Sequence, residues 1–105
     1  MRDNTNYSVE ELKDFINNDE DFKFLVDLEL QDHIYISDDR EYTSLDANIE
    51  EYQDENESYL LLTIEEDSDK EGKYHYIVWS KECGIRYWDL KTALIAVTKR
   101  LRNYI

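Results

Sequence analysis

The sequence predicts an α+β fold: a four- or five-stranded, mostly antiparallel sheet with an N-terminal and a C-terminal helix packed on it. Three observations predict it, namely a capped apolar stripe at helical spacing near each end of the chain and a series of short apolar runs divided by polar turns between them. At 105 residues the chain has the length of one domain, taken as residues 1–105.

Order itself has to be argued first, because 26 Asp+Glu against 12 Lys+Arg give a net charge of −14, and high charge with low hydropathy marks disordered chains. Leu, Ile, Val and Phe make up 27 of the 105 residues, above the roughly one-fifth needed to bury a core. Nine Tyr and two Trp add large apolar area, so the chain is expected to fold.

Ser8-Val9-Glu10-Glu11 is a capping box, with Tyr7 and Leu12 at the staple positions. Val9, Leu12, Phe15 and Ile16 continue the stripe and Asn17-Asn18 offer a stop. Phe22, Phe24, Val26, Leu28 and Leu30 share one parity, which predicts a strand; Ile34 and Ile36 resume it beyond Gln31-Asp32, either as a second strand or as one long bent strand. In residues 38–58, Leu45, Ile49 and Tyr52 favour a short helix opened by Thr43 or Ser44, while the intervening acids fit an edge strand equally. Tyr59 to Ile64 and Tyr74 to Trp79 predict a hairpin with Glu65 to Gly72 as its loop. Cys83-Gly84 breaks the run and Ile85 to Trp88 offers a brief last strand. Asp89 can then cap a helix whose Leu90, Leu94, Val97, Leu101 and Tyr104 face the sheet.

Charge is the most informative feature. Residues 19–71 hold 20 acids and three bases, while residues 72–105 hold two acids and seven bases. Two acidic clusters stand out as a candidate partner-binding surface: Asp38, Asp39, Glu41, Asp46, Glu50, Glu51, Asp54, Glu55 and Glu57, then Glu65, Glu66, Asp67, Asp69 and Glu71. Solubility alone is met by a net charge of about 2–8 in a small domain, and a larger excess costs stability through repulsion. Carboxylates spaced about 6.6 Å apart on a strand or 5.4 Å on adjacent helical turns offer an array akin to nucleic-acid phosphates. Tyr42, Tyr52 and Tyr59 are candidate aromatic anchors beside them, or members of the core or sheet surface.

Composition and charge over residues 19–71 resemble the DNA-mimic inhibitors, acidic phage products that block restriction enzymes, CRISPR effector nucleases or DNA-repair enzymes. That resemblance implies a non-enzymatic inhibitor of anti-CRISPR or anti-restriction type. It would occupy the basic groove of a nucleic-acid-binding protein or nuclease, bind no nucleic acid itself and act as a monomer or small homo-oligomer. The same acids suit an immunity protein against a basic toxin nuclease, and an acidic structural or regulatory interaction domain is the alternative from another class.

The chemistry-bearing residues give little else. Two Gly and no Pro disfavour a phosphate-cradling loop. No stretch approaches the ~18 apolar residues of a membrane span, and the polar N-terminus with a lone Cys83 makes the cytoplasm the expected location. Asp67-Ser68-Asp69-Lys70-Glu71-Gly72 starts like a calcium loop, but its twelfth position is Val78 and a strand should follow. His33, His75 and Cys83 have no zinc spacing, and a catalytic Cys–His pair would require the fold to join them. No cofactor or metal is therefore expected. Trp79 and Trp88 are read as core, and Lys99-Arg100-Leu101-Arg102 as the exposed side of the last helix.

Overall fold

The capping box is formed in full: the Ser8 hydroxyl accepts from the Glu11 amide at 3.2 Å and the Glu11 carboxylate from the Ser8 amide at 3.0 Å. It opens α1 (Val9–Asn17), which ends at Asn18. The structure, a computed structural model, describes residues 4–48, 60–80 and 83–103.

The predicted strand over Phe22–Leu30 is corrected to helix. Asp19 caps a 3₁₀ turn, Glu20–Phe22, which leads directly into α2 (Lys23–Leu30). The apolar residues of this stretch fit both periods, and the core selects Phe22, Leu25 and Leu28, three residues apart, while Leu30 is 78% exposed. Gln31-Asp32 does mark a boundary, but the element that ends there is the helix. Asp32 has φ 61°, and the amides of His33 and Asp32 bond back to Leu28 and Glu29, closing the helix by a Schellman turn.

Five strands follow: β1 (Ile34–Ser37), β2 (Ser44–Ala47), β3 (Leu60–Glu66), β4 (Tyr74–Trp79) and β5 (Gly84–Tyr87). They form one antiparallel sheet in sequence order, and α3 (Leu90–Leu101) closes the chain with Asp89 as its cap. Residues 44–47 are thus strand, and an inner one; the remainder of the 43–57 segment lies outside the described residues beyond Asn48. His33 immediately precedes β1.

The register decides which side chains meet. Leu45 opposite Leu62, Leu62 opposite Val78 and Ile64 opposite Tyr76 share one face. Against the sheet, α1 and α2 pack at β1, and α3 at β3, β4 and β5. Ser44, Thr63, Glu65, His75, Ile77 and Arg86 point to the other face, because successive strand residues alternate. Trp88 is 38% exposed, so its assignment to the core is also corrected; Trp79 is half-buried and donates to the Thr63 hydroxyl at 2.9 Å.

Long-range polar contacts pin the chain's first described residues across the sheet. Tyr76 Oη donates to the Thr5 carbonyl at 2.8 Å, Thr43 Oγ1 to the Tyr7 carbonyl at 2.6 Å, and the Tyr74 amide to the Asn4 carbonyl at 2.8 Å. Lys91 of α3 reaches Asp19 and Asp21 at 3.2 and 3.1 Å, and Arg100 donates to the Trp79 carbonyl.

Candidate functional site

In an antiparallel meander, alternate connections leave the sheet at the same end. The β1–β2 connection and the β3–β4 connection therefore meet, and with them two segments that the sequence holds apart. Asp38 and Glu41 of the first connection and Glu65 and Glu66 at the end of β3 line two adjoining hollows of about 330 and 360 Å³ that share Asn6, Glu41 and Tyr42. Tyr74 walls one hollow and Thr43 the other. The result is an acidic groove with tyrosine walls.

Local chemistry shapes it. The Glu41 amide bonds to the Asp38 carbonyl at 3.3 Å, and Glu41 sits in the left-handed region at φ 70°, a conformation that costs a side-chain-bearing residue roughly 1–2 kcal/mol. Across the groove the Glu66 carboxylate accepts from the Gly72 amide at 2.9 Å, where φ +81° calls for glycine, and Glu65 accepts from Thr63 Oγ1 at 2.6 Å.

The acids singled out from the sequence divide into four groups. Asp38, Asp39, Glu41, Asp69 and Glu71 are exposed and make no ion pair among the described residues; Glu65 and Glu66 stand at the groove with the hydrogen bonds just given. Asp46 and Asp67 are taken inward. Asp46 is 0% exposed, with its carboxylate 2.8 Å from Arg40 Nη2, accepting from Nη1 at 3.1 Å and from Ser44 Oγ at 2.9 Å. That contact holds the Arg40 guanidinium above its ordinary range. Asp67, 7% exposed, lies 3.8 Å from His75 Nδ1 and 3.9 Å from Arg86. The Asp69 amide, then Arg86 and His75, hold its carboxyl below the usual carboxylate range against the opposing effect of burial. Neither carboxylate belongs to an offered surface. Glu50, Glu51, Asp54, Glu55 and Glu57 lie outside the described residues, as do Tyr52 and Tyr59.

Sequence reasoning missed Asn6 and Tyr74 as groove residues, and it had no signal for them, since only the long-range contacts of Asn4, Thr5 and Tyr7 bring that strip across the sheet. The fold also separates His75 from Cys83. His75 is near the start of β4 and Cys83 beyond its end, about 13 Å or more apart at a strand's rise per residue. They form no nucleophile–base pair. Among the described residues no group of three or more His, Cys, Asp or Glu side chains is placed to hold a metal ion, and no helix is long and apolar enough to cross a membrane.

Comparison with protein families, curated proteins and solved structures finds no match to this chain.

Proposed function

We propose that this protein is a non-enzymatic inhibitor that lays its acidic end into the basic nucleic-acid groove of a nuclease or other DNA-binding protein. The supporting observation is the convergence of Asp38, Glu41, Glu65 and Glu66 on one groove, with Asp39, Asp69 and Glu71 on the two connections that leave that end of the sheet, while the interior acids Asp46 and Asp67 have cations of their own. Arg40 is drawn to Asp46 and Lys70 lies over Trp88, so two of the bases nearest in sequence are directed elsewhere. Carboxylates without ion pairs beside Tyr42 and Tyr74 offer an arginine-lined groove opposite charge together with aromatic surface for cation–π contact.

The test reverses charge where the fold does not need it. Asp38, Asp39, Glu41, Asp69 and Glu71 are changed to Lys in one variant, and the helix acids Glu10, Asp14 and Glu29 in a control. Host DNA-binding proteins retained by the immobilised wild type should be displaced by duplex DNA, lost by the first variant and kept by the control. Equal retention by both variants, or indifference to DNA, refutes the proposal.

A further inference from the structure

On the polar face of the sheet the register that pairs Tyr76 with Tyr87 carries one step further and sets His75 across from Trp88. Their rings lie 5.6 Å apart at 54°. His75 is 6% exposed, and its Nδ1 is buried without a hydrogen-bond partner, 3.8 Å from Asp67 Oδ2 and so about an ångström beyond bonding distance. The other carboxylate oxygen, Asp67 Oδ1, accepts from the Asp69 amide at 2.7 Å. Asp67 is therefore at once the residue that faces the imidazole and the residue that shapes the acidic turn.

We propose that His75 and Asp67 form a proton-operated clamp on the β3–β4 turn: on mild acidification the imidazole takes a proton at Nδ1, closes on Asp67 Oδ2 and fixes the turn against β4. The turn is already poised there. The Asp67 amide donates to the Lys73 carbonyl at 2.8 Å and the Lys73 amide to the Lys70 carbonyl at 3.0 Å, while Lys70 Nζ stands 5.5 Å from the centre of the Trp88 ring and the Arg86 guanidinium 5.8 Å from it.

The charges facing His75 from each neighbouring element give the sign. Glu65 stands opposite on β3, Asp67 and Lys70 come from the turn, Arg86 from β5, and Lys73 precedes β4 on the same face. The three cations are exposed, where water and salt screen them, whereas Asp67 shares the buried site with the imidazole. The charge nearest Nδ1 is thus the Asp67 carboxylate, 3.8 Å away. Asp67 is ionised throughout the range in which imidazoles titrate, because the Asp69 amide and Arg86 hold its carboxyl low. The clamp is a property of the fold and stands or falls independently of what the acidic end binds.

The experiment uses the full chain alone. Hydrogen exchange at the Asp69 amide, expressed as a protection factor to remove the intrinsic pH dependence, is followed from pH 8 to pH 5.5 beside the NMR titration of the His75 ring. Protection is expected to rise about five- to tenfold with the same midpoint as the ring, and the rise should vanish in His75→Gln. If that variant fails to fold, the matching midpoints in the wild type decide the question. Protection that is flat with pH, that rises with a midpoint other than the ring's, or that persists in folded His75→Gln overturns the clamp.

Discussion

Replacing Arg40 by Met tests most sharply how this acidic chain tolerates its own charge. Asp46 is wholly buried on an inner strand, and Arg40 is the cation on it, with one nitrogen 2.8 Å away and the other donating at 3.1 Å. Removing one partner of a buried pair strands a charge and costs about 3–5 kcal/mol. Arg40 is itself 40% exposed, so water can enter where its guanidinium was, and Ser44 still donates to Asp46. A cost discounted below that range for this exposure, about 2–3 kcal/mol, follows. With a urea m-value of about 1–1.5 kcal/mol/M for a domain this small, the unfolding midpoint should fall by about 2 M. The double variant Arg40→Met/Asp46→Leu removes both charges and should recover most of that loss, because the cost lies in the unpaired carboxylate and not in the pair's net worth. A midpoint shift below about 0.5 M for Arg40→Met, or a double variant as unstable as the single, would refute the reasoning.

A Cβ at Gly84 would stand 2.6 Å from Ile77 Cγ2 and 3.0 Å from two carbons of the Trp79 ring. Gly84→Ala should therefore cost about 1–3 kcal/mol by overpacking, read as a lowered thermal midpoint, and adding Ile77→Ala should relieve part of it; additive losses would argue against the clash. For pH, Asp19 is held low chiefly by the Asp21 amide, with Lys91 adding to it against burial, and Asp67 chiefly by the Asp69 amide. A depressed native pKa contributes stability that is present above the unfolded carboxylate range, about 4, and is lost as pH falls through the lowered native value. Global self-repulsion is relieved by pH 4.3, the sequence pI, and returns with positive sign below it, so these two carboxylates are read as the part of the fall in thermal midpoint below about pH 4 that Asp19→Asn and Asp67→Asn remove. A midpoint that holds or rises down to about pH 2.5 contradicts that assignment.

What the sequence made legible was whatever its local pattern determines uniquely. The Ser8–Glu11 box, the Asn18 stop, the Asp89 cap and the β3–β4 hairpin with its glycine turn stand where spacing and cap chemistry put them, since each depends on residues within a few positions of one another. Phe22–Leu30 was not legible. Its apolar residues at 22, 24, 25, 26, 28 and 30 satisfy a period of two and a period near three at once, and what separates the two is the sheet that Leu25 and Leu28 must reach. The exception in the alternation, Leu25 among the polar residues, was the one local sign of a helix. The groove was half legible: its acids are plain in the composition, but their meeting follows from the meander, and the withdrawal of Asp46 and Asp67 from it follows from Arg40 and Arg86 lying across turns and strands.

The proposed function and the alternative, acidity for solubility alone, both predict that salt stabilises the fold, and they part on whether it also weakens an association. A chain of net charge −14 repels itself, so shortening the screening length from about 30 Å at 0.01 M to about 3 Å at 1 M should stabilise the fold whatever the acids are for. Association of an acidic groove with a basic partner should weaken over the same range, mostly through slower encounter. Reversing Asp38, Asp39, Glu41, Asp69 and Glu71 to Lys lowers the net charge from −14 to −4, which reduces self-repulsion and abolishes the groove's attraction together. The variant should thus be at least as stable as the parent and no longer bind. A variant that binds as before would leave the acidic end with solubility as its only use, and one that unfolds would show that these carboxylates hold structure the observed contacts do not reveal.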